Sequence, residues 1–203
     1  MASPKVGASR AERTRAKLRE AAVQAMSARG FHGTTTRDIA TAAGLSTAAL
    51  YVHYASKEEM LYAISKDGHE ETLRIVRAAA ASSSDPVQQL RALVHEYVVY
   101  HAREHVSAII VNRELAALEP AHLAHIRALR SDIEKTAEDV LRAGAASGAF
   151  QIDDVRITMI AVMSLGLDVA RWYHDTGEWT PEDVAARYTQ LVLRLVGVSP
   201  ADH

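Results

Sequence analysis

The chain has 203 residues, enough for one large domain or two small ones with a substantial core, and no cysteine. That excludes a disulfide framework, an iron–sulfur cluster and a thiolate zinc site, and it fits a reducing cytosol. The net charge of −2 conceals a division, because residues 1–58 carry +5 and the remainder −7, so only the head is suited to a polyanion.

No apolar run reaches the roughly 18–20 residues that span a bilayer, and residues 1–10 are short and polar rather than signal-like. A cytoplasmic protein with no membrane partner is expected. Alanine is abundant and sustained two-residue alternation is absent, so almost every segment reads as helix. Leu18, Ala21, Ala22, Ala25 and Met26 recur at helical spacing over 10–29, and Gly30 stops that helix. Thr34 to Thr36 offer N-cap hydroxyls for a short helix to about 43, ended by Gly44, and another short helix covers 45–54. Ser56 and Glu59 form an S-x-x-E capping box that opens a longer helix to about 81. Three serines at 82–84 mark a linker. Asp85-Pro86 opens a helix to about 104, and others cover 106–118 and 121–147. Asp153 is the expected cap of a helix to about 175. Thr180-Pro181 starts the last, to about 196. The reading is all-α with nine helices.

Two short helices separated by a glycine turn make a helix-turn-helix, in which the second helix enters the major groove. Ile39, Ala40, Ala43, Leu45 and Leu50 face its core, and Gly44 must take a left-handed conformation that other residues reach only at a cost. Thr35, Ile39-Ala40, Ala43-Gly44-Leu45-Ser46, Tyr51-Val52-His53-Tyr54 and Lys57-Glu58-Glu59-Met60-Leu61 closely resemble the pattern of the TetR family of transcriptional regulators. Ala48 and Tyr54 depart from it, where glycine and phenylalanine are usual. The resemblance covers about 50 residues. It implies a nine-helix fold, with residues 1–55 as arm and DNA-binding domain, 56–203 as ligand-binding and dimerisation domain, and helix 56–81 linking them.

It also implies residue roles. Thr35, Thr36 and Arg37 meet the DNA backbone, the helix starting at Ser46 enters the major groove, and Thr47, Ala48 and Ala49 lie at the base edges. Tyr51, His53 and Lys57 contact phosphates, with Lys57 aided by the helix N-terminus. Such a sparse reading set leaves part of the specificity to DNA shape and to an arm bearing Lys5, Arg10 and Arg13. The function implied is a repressor that binds a pseudo-palindromic operator as a homodimer and is released by a small-molecule effector.

In the second domain, Ile157, Ile160, Ala161, Leu165, Val169 and Trp172 form one apolar stripe, and Val184, Tyr188, Leu191, Val192 and Leu195 another. They ask for more cover than one small domain supplies, so Ile160, Leu165, Trp172, Tyr188, Leu191 and Leu195 are the expected dimer interface. His95, His101, His105, Asn112, Arg113 and Glu114, beside Tyr97, Val98, Ile109 and Ile110, are candidate pocket residues. Arg171-Trp172-Tyr173 with Gly177, Thr180 and Tyr188 resembles the C-terminal signature of TetR regulators of lipid and steroid catabolism that answer to acyl-CoA thioesters. That likeness spans about 25 residues. It implies an acyl chain in the cavity and phosphates on Arg113, Arg127, Arg130 or Arg171, while an apolar drug-like effector remains the alternative. His101/His105 and His122/His125 have spacings that would put two imidazoles on one helical face for a metal. No nucleophile elbow, P-loop or dinucleotide fingerprint accompanies them, so no metal site, resident cofactor or enzyme is expected.

Overall fold

The computed structural model describes residues 9–198; Lys5 of the expected arm lies outside them. Among the described residues there are nine α-helices and no strand. The first four are α1 (Arg10–Arg29), α2 (Thr36–Ala42), α3 (Thr47–Tyr51) and α4 (Lys57–Ala80). The rest are α5 (Pro86–Arg103), α6 (His105–Arg113), α7 (Pro120–Ala146), α8 (Val155–Trp172) and α9 (Pro181–Leu195), with a 3-10 turn at Leu115–Ala117 between α6 and α7. The all-α, nine-helix expectation holds.

Capping chemistry sets most of the boundaries. Ser9, Thr35 and Thr180 each head a full capping box, the N3 carboxylate returning to the cap's own N–H. Three details differ from the sequence reading. Ser56 does cap α4, but the Glu59 carboxylate reaches the N–H of Ala55 instead of closing the box on Ser56. Asp154, not Asp153, caps α8 by accepting from Ile157 N–H at 2.9 Å. The third helix is only five residues long, because Leu45 belongs to the turn and Val52 already leaves the helix.

The core falls into two clusters. One joins α4, α5, α7, α8 and α9 around Leu90, Leu93, Val98, Leu141, Val169 and Val192. The other gathers Leu18, Met26, Ile39, Leu50, Met60 and Leu61 from the first four helices. This second cluster also takes in Ile64 of α4, Ile110 and Val111 of α6, and Ile126 of α7. The packing therefore does not stop at the expected division near residue 55. Burying a side chain such as Ile110 contributes about 1.5–3 kcal/mol, so α6 is held to the head by the same kind of apolar packing that holds the head together.

Candidate DNA-reading surface and effector cavity

The short α2 and α3 are fixed at their N-termini by side chains. Thr35 Oγ1 accepts from Asp38 N–H at 3.1 Å, and the Asp38 carboxylate accepts from Thr35 N–H at 2.9 Å and from its hydroxyl at 2.7 Å. Those bonds hold the Asp38 carboxyl below the usual range. Ser46 Oγ accepts from Ala49 N–H at 3.1 Å. Between the helices Gly44 has φ +68°, the left-handed value expected of this turn, with open space around the absent Cβ. Leu50 is fully buried and roots α3. The outward side of this pair presents Thr35, Arg37, Ser46, Ala48 and Tyr51 as exposed side chains, with Thr36, Thr47 and His53 half-buried among them. The Tyr51 hydroxyl lies 3.3 Å from Thr36 Oγ1 and ties the two helices at their rim. Val52, passed over in the sequence, is 79% exposed on the same edge. Its only sequence signal is an apolar residue just past the end of a short helix.

A cavity of about 200 Å³ lies among α4, α5, α6, α7 and α8. Its apolar wall includes Ile64, Val111, Ile133, Met159, Ile160, Met163 and Leu167, and its polar wall His69, Tyr97, Tyr100, His101, Asn112 and Arg130. His69 Nδ1 faces the Ser65 carbonyl at 2.7 Å and so carries the proton, leaving Nε2 to accept from Arg130 Nε at 3.0 Å. Arg130 also donates to the Asn112 side-chain oxygen. His101 Nδ1 donates to the Tyr97 carbonyl at 2.8 Å, and burial pushes its pKa down to about 4. Burial likewise lowers His69 and raises both tyrosines. The two imidazoles are thus neutral at pH 7. Gly166 of α8 makes room for Tyr97, since a Cβ there would fall 2.5 Å from the ring.

Comparison with known proteins meets this geometry at both ends of the chain. The family model of the TetR N-terminal region, bacterial regulatory proteins, matches residues 18–64. A tetracyclin repressor-like C-terminal domain matches residues 83–196. The chain belongs to the TetR family. It is a DNA-binding transcriptional regulator and not an enzyme. Among curated TetR relatives, the HTH-type transcriptional repressor KstR2 of Rhodococcus jostii is 30% identical, covering 88% of this chain and 89% of that protein. A solved tetR-family regulatory protein from Rhodococcus RHA1 is 38% identical, with a TM-score of 0.86, covering 95% of this chain and all of that one. AibR, solved in complex with isovaleryl coenzyme A and operator DNA, is 27% identical with a TM-score of 0.79, covering 91% of this chain and 98% of that one.

Several residues singled out for TetR roles are placed elsewhere. Lys57 was expected on a phosphate, but its ammonium donates to the carbonyls of Phe31 (2.5 Å) and Thr34 (2.7 Å) and sits 4.2 Å from the Phe31 ring centroid. A lysine has three donors, and two are spent on closing the α1–α2 loop. Of the candidate pocket residues, Tyr97, His101, Asn112 and Arg130 line the cavity, while His105, Arg113, Arg171, Trp172 and Tyr173 are among those that do not. His105 turns to the Ala102 carbonyl and lies edge-on to Tyr173. Arg113 is exposed and paired with Glu114 at 3.1 Å. Arg171 is paired with Asp168 at 2.7 Å, and Trp172 stacks on Tyr188. Tyr173 is buried in the body's core. His69 and Tyr100 were missed because α4 was read only as a linker and Tyr100 only as part of a helix.

The paired histidines do not share one site, although His122 with Glu58 and Glu119 brings three possible ligand atoms within 4.8 Å of one another. His122 Nδ1 lies 2.8 Å from Glu58, whose carboxylate also accepts the Glu119 N–H at the start of α7, while His125 meets the Tyr62 hydroxyl at 2.6 Å. Those donors join α4 to α7. On the dimer stripes, Ile160, Leu191 and Leu195 are exposed, whereas Leu165, Trp172 and Tyr188 are half-buried against their own core. Ile157, 62% exposed, extends that apolar surface. None of the described helices is long and apolar enough to cross a membrane.

Proposed function

We propose that this chain is a cytoplasmic repressor whose homodimer holds two α3 helices about one DNA turn apart, roughly 34–36 Å, on a pseudo-palindromic operator. Thr47 and Ala48 read base edges, with Val52 beside them, and Thr35, Thr36, Arg37, Ser46, Tyr51 and His53 position the phosphate backbone. The exposed faces of α8 and α9, around Ile160, Leu191 and Leu195, form the dimer seam. The effector is an acyl compound whose acyl group occupies the α4–α8 cavity, as AibR's isovaleryl coenzyme A suggests by analogy.

One observation carries the coupling between ligand and DNA. Ile64 and Val111 line the cavity and also belong to the hydrophobic cluster of the DNA-reading head. A ligand pressing on α4 or α6 from the cavity side therefore moves the floor on which α1 to α3 rest. Close packing transmits that displacement instead of absorbing it. The size of the cavity favours a short acyl group over a large apolar drug, because about 200 Å³ falls below the roughly 300–1,000 Å³ of drug-sized sites.

The test is selection of bound sequences from random DNA, followed by titration of the recovered operator with short acyl-CoA esters. A palindromic consensus, and release by at least one short acyl ester, is the expected outcome. Recovery of no consensus sequence would sink the reading.

A further inference from the structure

Arg130 is out of keeping with the other arginines of the body. Arg77, Arg103, Arg113 and Arg171 are exposed, and each holds a carboxylate. Arg130 is half-buried in the cavity wall, and both of its hydrogen bonds go to neutral acceptors, the ring of His69 and the amide of Asn112. Among the described residues no carboxylate lies within ion-pairing distance of it. Glu134, one turn further along α7, and Glu104 stand on the cavity lining as exposed side chains. A guanidinium has five N–H donors in a planar fork, so several remain without an acceptor. Glu134 acts on Arg130 only through its charge at a distance, so a partly buried cation has no acid in contact with it, and that cost falls when an anion arrives. Tyr97 and His101 line the same space, and neither the Tyr97 hydroxyl nor His101 Nε2 makes a hydrogen bond among the described residues.

We propose that Arg130 is the receptor for a carboxylate on the effector, which makes that effector a short-chain compound ending in a carboxylate. This deepens the proposed reading of the cavity and rests on it. The carboxylate takes the free face of the guanidinium, as planar two-point recognition requires, with the Tyr97 hydroxyl as a further donor. The apolar chain lies against Met159, Ile160 and Met163. Two sources supply this chemistry: a free short-chain acid, or the free end of a dicarboxylic acyl group carried as a thioester. The same contact explains how charge in the ligand reaches DNA. Arg130 joins α7 to His69 on α4 and to Asn112 on α6, and a carboxylate drawing the guanidinium toward itself from the free face shifts the donors that hold those two helices together.

Calorimetric titration of the full-length dimer decides the matter. The ligands are butanoate and hexanoate, butanoyl-CoA as a neutral acyl thioester, and glutaryl-CoA as a thioester with a free carboxylate. The proteins are wild type, Arg130→Gln and Arg130→Lys. Carboxylate ligands should bind the wild type and lose about 10- to 100-fold in affinity in Arg130→Gln, the loss expected for a hydrogen-bonded charge. Arg130→Lys should fall between, since it keeps the charge without the fork. If Arg130→Gln fails to fold by circular dichroism, the intermediate affinity of Arg130→Lys carries the test. Binding by butanoate or hexanoate assigns the free acid, and binding by glutaryl-CoA alone assigns the dicarboxylic thioester. If carboxylates bind all three proteins equally, or if butanoyl-CoA is the tightest ligand, Arg130 is not a carboxylate receptor, and the cavity reading survives. No binding by any of the four ligands also overturns the proposal. Loss of the cavity reading itself would show differently, as ligand binding without any change in operator affinity.

Discussion

Replacing Gly166 with alanine should damage the effector cavity from behind. Gly166 is buried in α8, and an added Cβ would lie 2.5 Å and 2.8 Å from two carbons of the Tyr97 ring. Both separations are too short for real atoms, so the ring must leave α8 and move into the cavity it lines. Forcing one carbon into a packed core costs about 1–3 kcal/mol. The helix propensity of alanine over glycine returns at most about 1 kcal/mol. For a chain of this size each kcal/mol lowers the melting temperature by about 2–4 °C. The expected net effect is therefore a fall of several degrees in differential scanning calorimetry. Tyr97 also lies 4.1 Å, ring to ring, from His101, so the cavity should shrink and effector affinity should drop with the melting temperature. The double variant Gly166→Ala/Tyr97→Leu should be less destabilised than the sum of the two singles, because the leucine removes the ring that clashes. An unchanged melting temperature together with unchanged effector affinity in Gly166→Ala would refute the packing argument.

Lys57→Ala should lower stability by about 1.5–3 kcal/mol by leaving the Phe31 and Thr34 carbonyls without their charged donor. The salt dependence of operator binding should stay nearly constant; a slope reduced by a full phosphate contact with no loss of stability would return Lys57 to the DNA. Leu191→Arg places a charge on an exposed apolar face and should give monomers with weakened operator binding, read by light scattering and gel shift. His101 supplies a pH signature. Its folded pKa, about 4, is below the unfolded value near 6.5, so the unfolded chain binds the proton first. Stability is unaffected above pH 6.5 and falls between pH 6.5 and 4, by about 3 kcal/mol in total. His101→Gln, compared by denaturation at pH 7 and pH 4.5, should lose less stability on acidification than the wild type does.

The helix-turn-helix was legible from the residues alone, because every device that builds it is local. Thr35 and Ser46 cap the helices that follow within three residues, Gly44 supplies a left-handed turn, and Leu50 falls at the inward position of a helix only five residues long. Helical periodicity and Pro or Gly at the ends gave nine helices by the same short-range logic, with errors of a residue or two where Asp154 rather than Asp153 bonds the Ile157 N–H. What the sequence could not decide was partnership between residues far apart along the chain. Whether Lys57 points to phosphate or to the carbonyl of Phe31, 26 residues away, depends on how α4 packs against the α1–α2 loop. Arg130 and Arg171 each have an acid within about one turn of their own helix, yet Arg171 pairs with Asp168 while Arg130 turns to His69 and Asn112, 61 and 18 residues away. The same holds for the boundary near residue 55: polarity and linker composition mark where a helix begins, but only the burial of Ile110, Val111 and Ile126 beside Met60 and Leu61 makes the reader and the cavity share one core. Local hydrogen bonding determined the DNA-reading head, and long-range packing determined how a ligand could speak to it.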